Sequence, residues 1–433
     1  MAVSAAPLAE YFGLVAQANA GEHHGLTSIC SAHPLVIRAA FQEAQNRTGC
    51  VVIEATCNQV NQDGGYTGMT PKAFKAFVLD VAQECGFDAG RILFGGDHLG
   101  PNPWRSGSAD AAMEKALVMV FDYAKAGFGK IHLDASMSCQ DDPVPLADET
   151  IASRAALLAR AAEAGAKAGG HPLPGYIIGT EVPVPGGATH ALSTVALTRP
   201  KDAGQTIALH RAAFAKLGLA DVLSRVVGIV VQPGVEFGHS DVIRFDSGAA
   251  QSLSQWRAGK GVVFEAHSTD YQTAEALRAL VGGGFAILKV GPGLTFALRE
   301  ALYALDQIAA VLVPDYAPGT LAEAMEKLML AEPGNWQSYY SGSDSKLQRH
   351  FSYSDRIRYY WGRPVAIAAV EQLMQALEGR EIPETLISQY LPRCYDDIAQ
   401  NGAVLSAEDI VIAHIITAIA PYSYACDRAA TRA

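Results

Sequence analysis

The sequence predicts an α/β protein, a (β/α)8 TIM barrel with a C-terminal helical extension. Eight short β-branched runs alternate with Ala- and Leu-rich helical patterns between residues 26 and 292. Such alternation is typical of parallel strands joined by helical crossovers. Eight units within about 270 residues match the size of a barrel. A doubly wound open sheet is the alternative, but no G-x-G-x-x-G motif follows the first run.

The predicted strands are short runs rich in Val, Ile and Leu, as in strands that are buried on both faces. They are Leu26–Cys30, Val51–Ala55, Arg91–Phe94, Lys130–Asp134, Tyr176–Gly179, Val226–Val231, Val262–Glu265 and Ala286–Val290. Helical patterns occupy segments between them, several ending at or beside a glycine. Examples are Pro71–Gly86, Ala109–Gly127, Ala147–Gly169, Thr206–Leu217 and Thr273–Gly282.

The pattern changes after Gly293. A helix predicted over Leu294–Val313 completes the barrel, and prolines then mark a connector. Helical patterns follow at Val365–Leu377, Ile382–Tyr390 and Ala407–Ile419. We therefore expect two parts, a barrel over residues 1–313 and a helical extension over residues 314–433 that packs on it.

Charge and composition exclude several classes of function. A net charge of -11 without clustered Lys and Arg argues against nucleic-acid binding. The apolar stretch Ile410–Ala420 is too short to span a bilayer. No Lys or Arg precedes Arg38, so a signal peptide is not expected and the cytoplasm is the expected location. The seven cysteines form no CxxC motif and are expected to be reduced thiols.

Polar and charged side chains collect where the predicted strands end. In a barrel these ends meet at one face, which carries the active site. A small-molecule substrate is therefore expected. The residues at these ends are Ser31, His33, Glu54, Thr56, Asn58, Asp97, His98, Asp134, Ser136, Glu181, Gln232, His239, His267, Ser268, Lys289, Gly291 and Gly293.

Three histidines are candidate metal ligands. His98, His239 and His267 follow the third, sixth and seventh predicted strands. Three neutral imidazoles leave an open coordination position for substrate oxygens, so the pattern predicts a catalytic divalent cation. The alternative is that each histidine is a loop residue making a hydrogen bond.

Two carboxylates are candidate catalytic groups. Asp97 precedes His98 and suits an acid/base role toward a substrate hydroxyl. It could instead orient His98 or cap the next helix. Glu181 lies on a loop rich in Pro and Gly, where it suits either a second acid/base on a mobile arm or a solvated surface carboxylate.

The remaining strand-end residues are candidate substrate-binding groups. The amide-rich loop that begins at Asn58 and Gln59 suits a polyol, although its glycines also suit a turn. Gly291-Pro292-Gly293 opens a helix and could cradle a phosphate with Ser268, or form a simple turn. Asp134, Ser136 and Lys289 complete this set. In the extension, Arg356 and Arg358 could hold a second anion or be surface residues.

Six stretches of the chain resemble the GatZ/KbaZ family, the second subunits of class II tagatose-bisphosphate aldolases. They are Ile53–Gln62, Gly64–Thr70, Gly95–Trp104, Lys130–Ser138, Gly179–Gly187 and Phe351–Trp361. The likeness extends over essentially the whole chain. The resemblance implies a class II aldolase barrel that binds zinc through three histidines, with manganese or nickel as other divalent candidates. By position, His98, His239 and His267 match the ligands, Asp97 the acid/base and Glu181 the mobile-loop acid.

The resemblance also implies a function in carbohydrate metabolism, in galactitol or tagatose catabolism. We expect a tagatose-bisphosphate aldolase subunit that takes a sugar or sugar phosphate, forms an oligomer and works with a catalytic class II aldolase subunit. The alternatives are a stand-alone metal-dependent ketose or ketouronate C4-epimerase, and a structural partner with a decayed site. Kinase activity is not expected, because the chain has no G-x-x-x-x-G-K-[ST] loop.

Overall fold

Eight parallel strands form a closed barrel in the computed structural model of this 433-residue chain. The structure describes residues 5–45, 47–180, 195–340, 342–401 and 405–427. The barrel strands are β1 (Leu26–Cys30), β2 (Val51–Thr56), β3 (Ile92–Leu99), β4 (Lys130–Leu133), β5 (Gly175–Ile178), β6 (Val226–Val231), β9 (Val263–Ala266) and β10 (Ile287–Val290). They follow one another in chain order around the barrel, and β10 pairs with β1. The predicted α/β class, a (β/α)8 barrel with a helical C-terminal part, is confirmed.

Helices surround the barrel and form the extension, and a small hairpin of β7 (Glu236–Phe237) and β8 (Val242–Ile243) follows β6. The helices in the first part are α1 (Ala5–Asn19), α2 (Pro34–Gln45), α3 (Pro71–Glu84), α4 (Ala109–Lys125), α5 (Asp148–Gly169), α6 (Pro200–Lys216), α7 (Ala220–Leu223), α8 (Gln251–Arg257), α9 (Ala274–Gly282) and α10 (Pro292–Leu312). Those that follow are α11 (Thr320–Ala331), α12 (Ser345–Phe351), α13 (Pro364–Leu377), α14 (Glu384–Tyr390), α15 (Pro392–Asn401) and α16 (Ala407–Cys426).

Strand β3 is longer than the sequence pattern indicates. The apolar run stops at Phe94, but the strand continues to Leu99. Two glycines make this possible, because a Cβ atom on Gly95 would lie 2.6 Å from the Glu54 side chain and one on Gly96 would lie 2.5 Å from Leu99. The glycines therefore let β3 pass close to charged and bulky neighbours inside the barrel.

Helix α1 closes the amino-terminal end of the barrel and has no counterpart among the predicted elements. Leu8, Tyr11 and Leu14 are buried in a cluster with side chains from seven of the barrel strands. A Cβ atom on Gly175, the first residue of β5, would lie 2.6 Å from the Tyr11 ring. This end is therefore sealed by packing, and access to the barrel interior is left to the opposite end.

Hydroxyl side chains mark where several helices begin. Thr70 accepts a hydrogen bond at the start of α3, Ser108 at the start of α4 and Thr273 at the start of α9. Ser406 and Asp409 form a capping box at the start of α16. Each cap satisfies backbone N–H groups that the first helical turn leaves free.

Helix α16 joins the extension to the barrel by packing against α2, α9 and α10. It is 20 residues long, longer than the apolar stretch noted in the sequence, and its length and composition would allow it to cross a membrane. Half of its apolar window is buried in the protein, and its His414 lies 3.2 Å from Glu300 of α10. This is the packing of a core helix.

We predict that Ile415→Ala lowers the free energy of unfolding by about 2–5 kcal/mol, because a fully buried side chain of α16 leaves a cavity. Leu330→Ala is the control, since Leu330 is 53% exposed and its loss should cost within about 0.5 kcal/mol. Urea denaturation followed by circular dichroism measures both. Equal losses in the two variants would show that α16 does not stabilise the barrel.

Candidate active site

A cavity of about 360 Å³ opens at the carboxyl ends of the barrel strands. Its wall combines residues that follow the strands with residues of the extension. The polar side chains that line it from the barrel include Ser31, His33, Thr56, Asn58, Gln59, Tyr66, Thr67, Asp97, His98, His267, Ser268, Asp270, Lys289 and Thr295, and the extension adds Arg358, Tyr359, Trp361 and Arg363. Many of the predicted strand-end residues are thus brought together in one place.

Three imidazole rings meet inside the barrel at this end. The ring centroids of His98 and His267 are 4.9 Å apart, and the His132 ring lies 5.1 Å from the first and 5.2 Å from the second. All three side chains are buried. His98 has a positive φ of 49°, a conformation that costs energy in a residue other than glycine and that is concentrated at functional sites.

Each of these imidazoles has a nitrogen within hydrogen-bond distance of a carboxylate, and Nε2 of His98 also lies 3.7 Å from Asp97 Oδ2. The opposite nitrogens, Nε2 of His132 and Nδ1 of His267, are buried and have no hydrogen-bond partner among the described residues. Ligand atoms from Asp97, His132, Glu265 and His267 all lie within 4.8 Å of one another, a grouping that could hold a metal ion. The pairs are His98 Nδ1 with Asp134 Oδ2 at 2.7 Å, His132 Nδ1 with Asp97 Oδ1 at 3.0 Å, and His267 Nε2 with Glu265 Oε1 at 2.9 Å.

His239 lies elsewhere, against the extension. Its Nδ1 is 3.2 Å from the Ser352 hydroxyl, and its ring packs at 5.2 Å on Tyr340. The reason is the hairpin of β7 and β8, which carries His239 in its connecting turn and so directs it away from the barrel interior. The expected grouping of His98, His239 and His267 is therefore not formed, and His132 is the imidazole that joins the other two.

A network of buried charges lies beneath the imidazoles. Lys130 Nζ is 2.5 Å from Glu54 Oε1 and 2.7 Å from Glu265 Oε2, with all three side chains inaccessible to solvent. Lys289 Nζ pairs with Asp97 and lies 3.8 Å from Glu54. Burial alone would lower the pKa of Lys130, but Glu265 and Glu54 raise it above its usual range. The lysine is therefore charged.

The protonation states in this region follow from the same neighbours. Burial alone would raise the pKa of Asp97, but His98 and Lys289 outweigh it and hold the pKa well below its usual range. Burial and the charge of Lys289 hold the pKa of His267 well below its usual range. Asp97 is consequently a carboxylate that can accept a proton, and His267 is neutral, the form that can bind a metal.

The backbone of the predicted phosphate cradle is already occupied. The N–H groups of Gly291 and Gly293 donate to Asp270 Oδ1 at 3.0 and 2.7 Å. Asp270 is buried, and it fills the position at the start of α10 that an anion would take. This differs from the expectation for Gly291 and Gly293, because a phosphate could bind there only by displacing the carboxylate.

The other predicted binding residues have separate positions. Asn58, Gln59 and Ser268 line the cavity, and Gln59 Oε1 also accepts a hydrogen bond from Thr56 N–H at 2.8 Å. The Ser136 hydroxyl donates to Asp134 at 2.6 Å, so it orients the carboxylate that contacts His98. Glu181 lies outside the described residues.

The two arginines of the extension differ in their surroundings. Arg356 is buried, with its guanidinium 3.3 Å from the centroid of the Tyr339 ring and its Nε donating to the Asn335 carbonyl. Arg358 lines the cavity. The surface alternative is therefore wrong for Arg356, which is a packing residue, and Arg358 belongs to the wall of the candidate site, where the alternative of an anion site stays a prediction.

Comparison with known proteins places the chain in a family. Residues 12–427 match the family model described as D-tagatose-1,6-bisphosphate aldolase subunit GatZ/KbaZ-like. The chain belongs to the GatZ/KbaZ-like family. The match spans both the barrel and the extension, so the extension that lines the cavity belongs to what the family shares.

Two relatives of the GatZ/KbaZ-like family carry different functional names. The chain is 60% identical over 381 residues to D-tagatose 6-phosphate 4-epimerase of Agrobacterium fabrum. This alignment covers 87% of this chain and 90% of that protein. It is 51% identical over 416 residues to the D-tagatose-1,6-bisphosphate aldolase subunit GatZ of Escherichia coli, covering 95% of this chain and 99% of that one.

A solved structure shares the fold of this GatZ/KbaZ-like chain. It is described as a probable tagatose 6 phosphate kinase from Sinorhizobium meliloti, with 54% sequence identity and a TM-score of 0.86. The alignment covers 93% of this chain and all of the other.

Sequence reasoning missed several members of the site in this GatZ/KbaZ-like chain. His132 was hidden between the apolar residues Ile131 and Leu133 of β4. A usable signal was the alternation in β4, because Lys130, His132 and Asp134 share one face of a strand and a barrel strand has an interior face. For Arg358 the sequence named an anion site and a surface position as alternatives, and no local signal could decide between them, because its place in the cavity depends on how the extension packs.

We predict that Lys130→Met destabilises the protein by about 3–5 kcal/mol, because it leaves Glu54 and Glu265 buried without their counter-ion. Lys115→Met is the matched control, since Lys115 is exposed and lies 3.5 Å from Asp63, and its loss should cost no more than about 1 kcal/mol. Urea midpoints of the two variants give the comparison. A loss for Lys130→Met no larger than for the control would contradict the role of Lys130.

Proposed function

We propose that this chain cleaves and re-forms the C3–C4 bond of a ketose phosphate, as a subunit of a tagatose-1,6-bisphosphate aldolase. The observation that carries the proposal is the group of three imidazoles beside Asp97, of which His98 and His267 line a cavity large enough for a sugar phosphate. Membership of the GatZ/KbaZ-like family supports it. A catalytic class II aldolase subunit as partner, and an oligomeric state, remain predictions.

The donor set suits a divalent cation. His132 Nε2 and His267 Nδ1 are buried without partners, while a carboxylate holds the other nitrogen of each ring, the arrangement that orients metal-binding histidines. We propose His98, His132 and His267 as the ligands, with zinc as the first candidate and manganese or nickel as alternatives. When bound, the cation supplies a Lewis acid that polarises the ketone of the substrate.

The charge of the site also suits a cation. Among the described residues, four buried carboxylates beside the imidazoles are opposed by two lysines, Lys130 and Lys289, so the carboxylates outnumber the lysines by two. A divalent cation would balance this excess, and balanced charge is what a buried site requires. The carboxylates are Glu54, Asp97, Asp134 and Glu265.

Asp97 is proposed as the acid/base. Its carboxylate lines the cavity and is ionised, so it can take the proton of the C4 hydroxyl. As that proton leaves, C4 becomes an aldehyde carbon and the electron pair of the C3–C4 bond passes toward the ketone. Lys289, paired with Asp97, places a positive charge beside the reacting oxygens. Glu181 remains a predicted second acid/base.

A C4-epimerase is the second candidate function. The 60% identity to D-tagatose 6-phosphate 4-epimerase favours it. Its reaction begins with the same proton transfer and the same bond cleavage, but the aldehyde turns and the bond re-forms with the opposite configuration at C4. The same residues therefore serve either reaction, and the products distinguish them.

We predict that the Ala variants of His132 and His267 lose bound divalent metal, whereas His239→Ala keeps it. Loss of a residue that only orients a metal ligand weakens metal binding by about 10- to 100-fold. Removing a ligand itself should weaken metal binding by more than this. Metal content after dialysis, measured by plasma emission spectrometry, gives the result. Retention of metal by His132→Ala, with loss in His239→Ala and His267→Ala, would restore the ligand set expected from the sequence.

We predict that the protein loaded with Zn²⁺, Mn²⁺ or Ni²⁺ converts tagatose 1,6-bisphosphate to triose phosphates or tagatose 6-phosphate to its C4 epimer. Triose products support the aldolase, and a changed hexose phosphate supports the epimerase. Reaction that requires an added catalytic subunit supports an accessory role, and no reaction even then supports a structural partner with a decayed site.

Asp97→Asn should lower turnover by at least about 100-fold, the usual contribution of a general acid/base. Asp315→Asn, the same change at an exposed position, should leave turnover within about twofold because surface changes have small effects. Chromatographic product analysis with equal metal loading measures both variants. Unchanged turnover in Asp97→Asn would remove Asp97 from the reaction.

A further inference from the structure

Arg358 is a cation in the wall of the active-site cavity, and it has no carboxylate partner among the residues that the structure describes. It lies on a short helical turn, Arg356–Tyr359, between α12 and α13. It lines the cavity together with Asp97 and His98 of the barrel. A group from the extension and the proposed catalytic groups therefore face the same space.

Of the described residues that line this cavity, three are Lys or Arg, and two of these are paired with carboxylates. Lys289 pairs with Asp97. Arg363 lies at an exposed position, 3.1 Å from Glu332. For Arg358, no carboxylate lies within ion-pair distance in the part of the chain that the structure describes. A half-buried positive charge without a counter-ion is costly, so this position favours an anionic ligand.

The guanidinium of Arg358 is held in place by neutral groups. Its Nη1 donates to the carbonyl oxygens of Ser354 and Asp355, and its Nη2 donates to the Tyr359 hydroxyl at 3.0 Å. Three hydrogen bonds leave two of the five N–H groups for a ligand. A guanidinium fixed in this way binds a phosphate with little loss of side-chain freedom, because its orientation is already set.

The surroundings of Arg358 suit a phosphorylated polyol. Tyr66, Thr67, Asn58 and Gln59 of the loop after β2 line the same cavity. The Tyr66 ring packs edge-on against Tyr359 at 4.8 Å and so connects this loop to the extension. Backbone N–H groups do not compete for the anion at the start of α10, because Asp270 occupies those of Gly291 and Gly293.

We propose that Arg358 binds the phosphate group of the ketose phosphate, so that the C-terminal extension determines the preference for phosphorylated substrates. The inference rests on the proposed function for the identity of the ligand as a sugar phosphate. The phosphate lies at the Arg358 wall of the cavity, and the carbon chain extends toward Asp97 and the imidazoles.

The test compares Arg358→Gln with the wild-type protein in two measurements. Calorimetry gives the affinity for tagatose 6-phosphate, and kinetics give the ratio of kcat/KM for tagatose 6-phosphate to that for free tagatose. Loss of charge-assisted hydrogen bonds should lower both the affinity and the ratio by about 10- to 100-fold. The ratio is taken within one protein sample, so a change in the fraction of folded protein does not alter it.

Two further variants control the experiment. Arg380→Gln removes the same charge from an exposed position of the extension and should leave the affinity and the ratio unchanged. Arg358→Lys keeps the charge and should restore part of the affinity. If Arg358→Gln does not fold, Arg358→Lys carries the test, because loss of the fork geometry should still lower the affinity.

The outcomes separate this inference from the proposed function. A wild-type protein that binds tagatose 6-phosphate through Arg358 but converts neither sugar, with or without a catalytic subunit, would contradict the proposed function and support the inference. Unchanged affinity and preference in the folded Arg358 variants of an active enzyme would overturn the inference alone. Failure of the wild-type protein to bind the sugar phosphate would also overturn it.

Discussion

The ion pairs of Lys130 with Glu54 and Glu265 are the constraint on which the site depends. These charges come from three strands, β4, β2 and β9, and lie where water does not reach. A charge in such a place is tolerated only when its partners are close, so the strands must hold their register for the barrel to be stable. Because Asp97 and His267 contact the same network, the barrel that satisfies these charges also sets the geometry of the site.

Local sequence patterns were enough to predict the barrel and part of the candidate site. The eight apolar runs predict all eight strands, because a buried strand has a distinctive composition whatever its neighbours are. Asp97, His98 and His267 were found for a similar reason, since the position of a residue at a strand end is local information. The full length of β3 was not predicted, because it depends on two glycines that lie close to Glu54 and Leu99 in space.

The rest of the site depends on contacts between distant segments. His239 follows the sixth strand as expected, yet the turn between β7 and β8 carries it to Ser352 of the extension. His132 takes its place because the register of β3 against β4 shifts after Gly96, which sets His98 beside the β4 ring. The alternation of side chains along a strand is a property of that strand alone, so it does not indicate how two neighbouring strands are aligned. The place of Arg358 is a similar case, since it follows from helix packing.

The position of Arg358 bears on the choice between the two candidate reactions. Cleavage of the C3–C4 bond in a ketose 6-phosphate places the phosphate on the aldehyde fragment, since carbons 4 to 6 leave together. A phosphate held by Arg358 would keep this aldehyde fragment in the cavity while its carbonyl group turns. An epimerase requires this retention, whereas an aldolase must release the fragment. The strength of that hold would then set the balance between re-forming the bond and releasing the aldehyde. In a family with members named for either reaction, the extension is therefore a natural place for the two activities to diverge.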